Sequence, residues 1–307
     1  MTKSFDLIGA PFNLLGCHTT ADNTVDALRR LDEESWQGLS HWMEVRNARW
    51  NADIRDKGDV EINTQERNLI ELKEKEQALA LYAGRLKQQL LSSYQQKRIP
   101  ITIGGDHSIA IGTVQAALEY YQKQHNQRVA VVWIDAHADC NDALTSNLHG
   151  KPVAMLMDKY SHNGWQVDAS LVLNPQDVYY VAVRDLMPNE HQLMTENQMV
   201  NFDHHYIECH GIAAVVESIK CIVDQHYDCL YVSFDYDALD GALYRACATP
   251  NQGGLSAREA HYLIYELAQH DKFIGIDFVE YLPELDTDGL SKELMIKLID
   301  AVWGYRA

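Results

Sequence analysis

Apolar residues recur along this chain in two rhythms. Short runs at Phe5–Ala10, Ile99–Ile103, Val129–Ile134, Val178–Val183, Cys229–Phe234 and Lys272–Val279 are rich in β-branched or aromatic residues. Such runs predict strands, and where apolar residues follow without a break the strand is buried on both faces. Between them, apolar residues spaced three or four apart predict helices over 24–45, 63–94, 109–124, 212–225, 256–269 and 291–302. Asn63 with Glu66, and Ser256 with Glu259, have the spacing of a capping box. Pro152 suits the first turn of a further helix. Residues 46–62 are polar and show no period, and Arg184 to His191 reads as a polar loop. Alternation of strand and helix predicts an α/β fold, a three-layer αβα sandwich around a mainly parallel sheet. With no repeat, linker or low-complexity tract, residues 1–307 are expected to form one domain.

Composition narrows the function. The 307 residues are 46% hydrophobic, ordinary for a chain with a substantial core. Lys+Arg 26 against Asp+Glu 44 leaves a net charge of −18, which argues against nucleic acid and anionic membranes as partners and favours a small cationic substrate. No apolar run has the length of a membrane span, and Met1–Asp6 has no signal-peptide character. Six cysteines, without a CxxC pair, read as free thiols of a reducing compartment, so a cytoplasmic location is expected.

Candidate chemistry gathers where three of the predicted strands end. One runs into Asp135-Ala136-His137-Ala138-Asp139, one into Asp235-Tyr236-Asp237, and one into Gly104-Gly105-Asp106-His107-Ser108. If strand geometry persists, Asp135, His137 and Asp139 share a face, as do Asp235 and Asp237. In parallel α/β sheets, ligands bind beyond the C-terminal strand ends. Grouped there, His107, Asp135, His137, Asp139, Asp235 and Asp237 supply four carboxylates and two imidazoles. Four uncompensated carboxylates would raise one another's pKa and oppose folding. Two divalent cations neutralise them, and oxygen-rich ligation with some imidazole suits Mn(II). Two Mn(II) ions per chain are therefore expected. By contrast, His204-His205 reads as a solvated pair, and Gly104-Gly105 lacks the spacing of a phosphate loop.

The three motifs, with Asn147-Leu148-His149-Gly150 and Ile276-Asp277-Phe278-Val279-Glu280, resemble the ureohydrolases, and within them the arginase branch. The resemblance spans nearly the whole chain. It implies an arginase-like fold and hydrolysis of a guanidino or amidino C–N bond, with arginine to ornithine and urea as first choice. It also implies residue roles. One ion would take His107, Asp135, Asp139 and Asp235, and the other His137, Asp135, Asp235 and Asp237. Asp139 would also help move a proton from the shared hydroxide, His149 would protonate the departing amine, and Glu280 would grip the guanidinium. Asn141, Ser146 and Thr249 would meet the substrate's far end. Relatives are commonly trimers or hexamers, so a homo-oligomer is expected.

The pattern departs from the arginase branch at that far end. Met187 stands where arginases usually carry an Asp for the substrate's α-ammonium, and a thioether supplies no such charge. Gly241, Arg245, Ala248 and Leu282 also replace typical residues, and the loop from Asp139 to His149 is short. A formiminoglutamase, an agmatinase-like enzyme and a catalytically silent relative are the alternatives.

Overall fold

The computed structural model describes residues 3–18, 24–32, 36–144 and 147–306. Eight strands form one sheet: β1 (Ser4–Ala10), β2 (Asp53–Asp59), β3 (Ile99–Gly104), β4 (Val129–Ile134), β5 (Val178–Val181), β6 (Val200–Phe202), β7 (Cys229–Asp235) and β8 (Phe273–Val279). Their order is β2-β1-β3-β8-β7-β4-β5-β6, and every neighbouring pair is parallel. β4, β7 and β8 are buried along their whole length. In β4, Ala130, Val132 and Ile134 join the core on one face of the sheet, while Val129, Val131 and Trp133 join the core on the other. Helices therefore cover both faces, giving the expected α/β three-layer arrangement.

Topology places the chemistry. After β3 the chain crosses to β4, and β7 and β8 later fill the gap between them. The register aligns Ile103 with Phe278, Phe278 with Phe234, and Phe234 with Ile134. One residue beyond that row, Asp135 and Asp235 stand side by side at the C-terminal edge of the sheet's centre.

Several sequence expectations need correction. The stretch 24–45 is two helices, Thr24–Arg29 and Leu39–Trp50. Gly38 packs so closely on Leu31 that a Cβ on it would lie 2.7 Å from Leu31 Cα. Asn63 does form its capping box with Glu66, but the helix ends at Glu71 and a second runs from Lys75 to Gln95. The break falls at Lys73, whose φ is 64°. β2 lies within the stretch without a period. As an edge strand it buries little besides Ile54, so its sequence carries no apolar signal. Pro188–Glu196 is a helix where a polar loop was expected. His204 and His205 sit exposed on a short helix, as expected of a solvated pair.

Candidate metal centre

The acidic strand ends converge, but not by strand alternation. β4 stops at Ile134, and Asp135 Oδ1 accepts the backbone N–H of His137 at 2.7 Å, turning the chain. Asp139 then adopts a left-handed φ of 49°. Asp235 Oδ1 likewise accepts the Asp237 N–H at 2.8 Å, opening a 3₁₀ turn over Tyr236–Ala238. These side-chain-capped turns re-aim carboxylates that an extended strand would have spread along one face. Gly105 lets the third segment in, since a Cβ there would lie 2.4 Å from the Phe12 carbonyl oxygen.

The result is two ligand clusters that share Asp135: His107 with Asp135 and Asp139, and His137 with Asp135 and Asp237. Around His107 Nδ1, carboxylate oxygens lie 3.1 Å away on Asp135, 2.9 Å on Asp139 and 3.0 Å on Asp235. Asp235 thus extends the first cluster. In the second, His137 Nδ1 is 3.1 Å from Asp237 and 3.5 Å from Asp135.

His107 tests whether a cation fits. Its Nε2 lies 2.9 Å from Ser233 Oγ, and that hydroxyl donates to Asp277. Ser233 must therefore accept from Nε2–H, so Nδ1 is the nitrogen that offers a lone pair whenever the imidazole is neutral. Nδ1 is buried and makes no hydrogen bond of proper geometry, despite the three carboxylates around it. An orphaned imidazole nitrogen facing three carboxylate oxygens at about 3 Å is the donor set of a cation site. The residues present fit a divalent ion.

Electrostatics agree. Burial, with Asp135 alongside, pushes Asp139 up to about 6. Burial, Asp237 and Asp135 raise Asp235 well above the carboxylate range. Burial opposes charge on His107, yet the Asp139, Asp135 and Asp235 carboxylates raise its imidazole well above its usual value. Protons stand in where positive charge is wanted.

Other groups hold this floor. The Trp133 ring stacks on His107, centroids 4.1 Å apart, and its indole N–H donates to Asp135 Oδ2 at 2.9 Å. Asp277, fully buried, accepts from Ser233, from Thr113 and from Tyr231. Sequence reasoning missed these roles for Trp133, Ser233 and Asp277. Ser233 and Asp277 are register partners on β7 and β8, a pairing visible only once strand order is known. Asp240, by contrast, caps a turn, accepting from Ala242 and Gly253 N–H groups.

A pocket of about 330 Å³ opens over the clusters, lined by His137, Asp139, Asn141, His149, Met187, Glu190, Asp235, Asp237, Thr249 and Glu280, with Cys17, Asn147 and Gly150. Glu280 Oε1 accepts from the His107 backbone N–H at 2.9 Å and lies 3.0 Å from His149 Nδ1. Burial opposes charge on His149, but its hydrogen bonds with Cys17 and Glu280 push it up to about 12. On the other side of the ring, Cys17 Sγ lies 3.4 Å from Nε2, a contact no sequence signal announced. Thr249 donates to Asp237 Oδ2 at 2.9 Å, so it faces a candidate ligand. Asn141 Oδ1 accepts from Asn189. Ser146 lies outside the described residues. Arg184 is committed to the oxygens of Asp237, Leu239 and Asn251.

Comparison with known proteins decides the family. The sequence profile described as Arginase family matches residues 3–304. The chain belongs to the arginase family. An arginase of Staphylococcus aureus strain COL is 28% identical over 99% of this chain and 98% of its own. One from Coccidioides posadasii is 33% identical over 68% of this chain and 67% of its own. The arginase structure from Bacillus caldovelox superposes with a TM-score of 0.82 at 27% identity, covering 99% of both chains. The formimidoylglutamase of Bacillus subtilis, at 18% identity, shares the fold with a TM-score of 0.76 over 98% of this chain and 86% of its own. The protein is thus an arginase-family hydrolase acting on guanidino C–N bonds. Among the described residues, no helix is long and apolar enough to cross a membrane.

Proposed function

We propose that this chain is a dinuclear manganese hydrolase that converts L-arginine and water to L-ornithine and urea. The observation that carries this reading is the pair of ligand clusters sharing Asp135, with His107 Nδ1 facing three carboxylates. His107, Asp135, Asp139 and Asp235 would hold one cation, and His137, Asp135, Asp235 and Asp237 the other. Bound there, the cations would supply a hydroxide at neutral pH by lowering the pKa of water.

The chain's own side chains do the rest. An amide anion is a poor leaving group, so the nitrogen whose C–N bond breaks must depart protonated. His149 is held at Nδ1 by Glu280 and keeps its charge, and its Nε2–H, which faces Cys17 Sγ at 3.4 Å, is the proton that would pass to that amine. Glu280, whose carboxyl the charged His149 keeps ionised against burial, places a negative charge on the pocket wall for a cationic substrate. Asn141 and Thr249 line the same pocket. Curated relatives named arginase, and a solved Entamoeba histolytica arginase in complex with L-ornithine, support the choice of substrate. Six unpaired cysteines support a reducing, cytoplasmic setting, and we expect a homo-oligomer.

One observation favours a second reading. Met187 lines the pocket and is 59% exposed, offering no charge to an α-ammonium. A formiminoglutamase or agmatinase-like activity would not need that charge there. Urea release from L-arginine, agmatine and guanidinobutyrate, and formamide release from formiminoglutamate, separate the readings. Turnover of arginine with Mn(II) is the expected result. Turnover of another compound alone would reassign the substrate, and metal content below about one ion per chain at saturation would overturn the dinuclear site.

A further inference from the structure

Lys151 is the most deeply buried ammonium in the described chain, with no accessible surface at all. Burying an ammonium is costly unless something compensates it. Among the described residues, its Nζ donates to two backbone carbonyls, those of Asn141 (3.3 Å) and Ala143. It also lies 4.8 Å from the centre of the Tyr160 ring. Tyr160 is itself fixed, its hydroxyl donating to Glu76 at 2.8 Å. Burial draws the ammonium down to about 8, against the opposing fields of Asp142, Glu190 and Glu76.

The position of those carbonyls matters. Residues 139–143 bring Asp139 and Asn141 to the pocket, and residues 148–151 bring His149 and Gly150 to the same pocket. Two backbone bonds join the segments, Asn141 N–H to Gly150 O at 3.2 Å and Val153 N–H to Asp139 O at 2.9 Å. Lys151 adds a third tie, which reaches past Asn141 to Ala143. A neutral apolar side chain of the same length would fill the space without donating to either oxygen.

We propose that Lys151 is a positioning residue for substrate binding: its buried ammonium clamps the loop carrying Asn141 to the turn carrying His149 and so sets the width of the pocket mouth. The inference rests on this pocket being the hydrolytic site. Acting through Asn141, it governs the fit of the substrate's far end rather than the cations below.

The test is Lys151→Met in the full, Mn(II)-loaded protein, with Lys151→Gln beside it in case the first does not fold. The expected result is a rise in KM on the order of tenfold with kcat changed less than about threefold, unchanged metal content, and faster amide hydrogen exchange at residues 142–144. In an Asn141→Ala background the same substitution should raise KM little further, because both act through one loop. Unchanged KM with unchanged exchange at 142–144 overturns the proposal, as does a loss of metal and kcat together with KM intact. If wild-type protein turns over no guanidino or formimino compound, the reading of the site fails. The exchange rates at 142–144 then decide the clamp by themselves.

Discussion

At the floor of the pocket, the side chains of the two candidate ligand clusters are held from behind. His107 is fixed by Ser233 and stacked on Trp133, Asp135 accepts from Trp133 and from the His137 N–H, and Asp237 accepts from Thr249 and from the Ala136 N–H. At the rim, Met187 is largely exposed, and Asn141 owes its place to a loop tied by Lys151 and Asn189. The floor satisfies a demand that hardly varies, carboxylate charge and imidazole nitrogens converging on the proposed cation sites. The rim answers to whatever lies at the substrate's far end, which one residue can change. Hydrolytic chemistry and substrate choice are therefore separable in this molecule, and substitutions should fall into two kinds.

The largest effect is expected at the floor. Asp235→Ala removes a carboxylate 3.0 Å from His107 Nδ1. Metal analysis and urea assays should show bound metal and turnover lost together, and a fully loaded, active variant would remove Asp235 from the site. His149→Ala should leave metal content intact while kcat falls about 10²- to 10⁴-fold, the usual worth of a general acid. Equal turnover would return His149 to a structural role. Ser233→Ala frees the His107 ring from the bond that fixes its tautomer. Metal titration should show affinity about 10- to 100-fold weaker, and unchanged affinity would mean Trp133 alone orients the ring.

At the rim, Met187→Asp restores a carboxylate to the pocket mouth. KM for L-arginine should fall by roughly tenfold with kcat nearly constant, since the gain is in ground-state binding. If arginine binding is indifferent to this change, the substrate's α-ammonium does not lie there.

The smallest effect is one of pH. In the metal-free chain Asp139 is raised to about 6, so the folded form binds a proton between about pH 4 and 6 that the unfolded chain has released. That contribution to stability is complete below about pH 4 and lost as pH rises through about 6. Asp235, also raised, acts in the same sense. A cation replaces those protons, so the rise in Tm on adding Mn(II) should be a few degrees larger at about pH 7.5 than at about pH 5. Equal increments would show that protons and metal do not compete.

The floor was also the more legible region in the sequence. His107, Asp135, His137, Asp139, Asp235 and Asp237 could be picked out because each lies at the end of a buried strand or a few residues past it, and charge arithmetic then pointed to cations. The expected cause of their convergence was wrong in detail, since turns capped by Asp135 and Asp235 aim the side chains. The rim was harder to read. Its contacts come from loops and from the helix Pro188–Glu196, which has no long apolar period. The polar edge strand β2 escaped for a related reason: its pairing with β1 uses backbone groups that every sequence carries.

By itself, the order of residues determined the alternation of strand and helix, the burial of β4, β7 and β8, and the placing of acids and imidazoles just past strand ends. These are local properties, written in periodicity and in the last residue of each run. Only the tertiary structure decided that β8 and β7 slot between β3 and β4, that Ser233 meets Asp277, that Cys17 reaches His149, and that Lys151 closes on the carbonyls of Asn141 and Ala143. Each of these joins residues far apart in the chain or depends on how a loop folds back. Strand order and packing geometry, which no spacing encodes, set their distances.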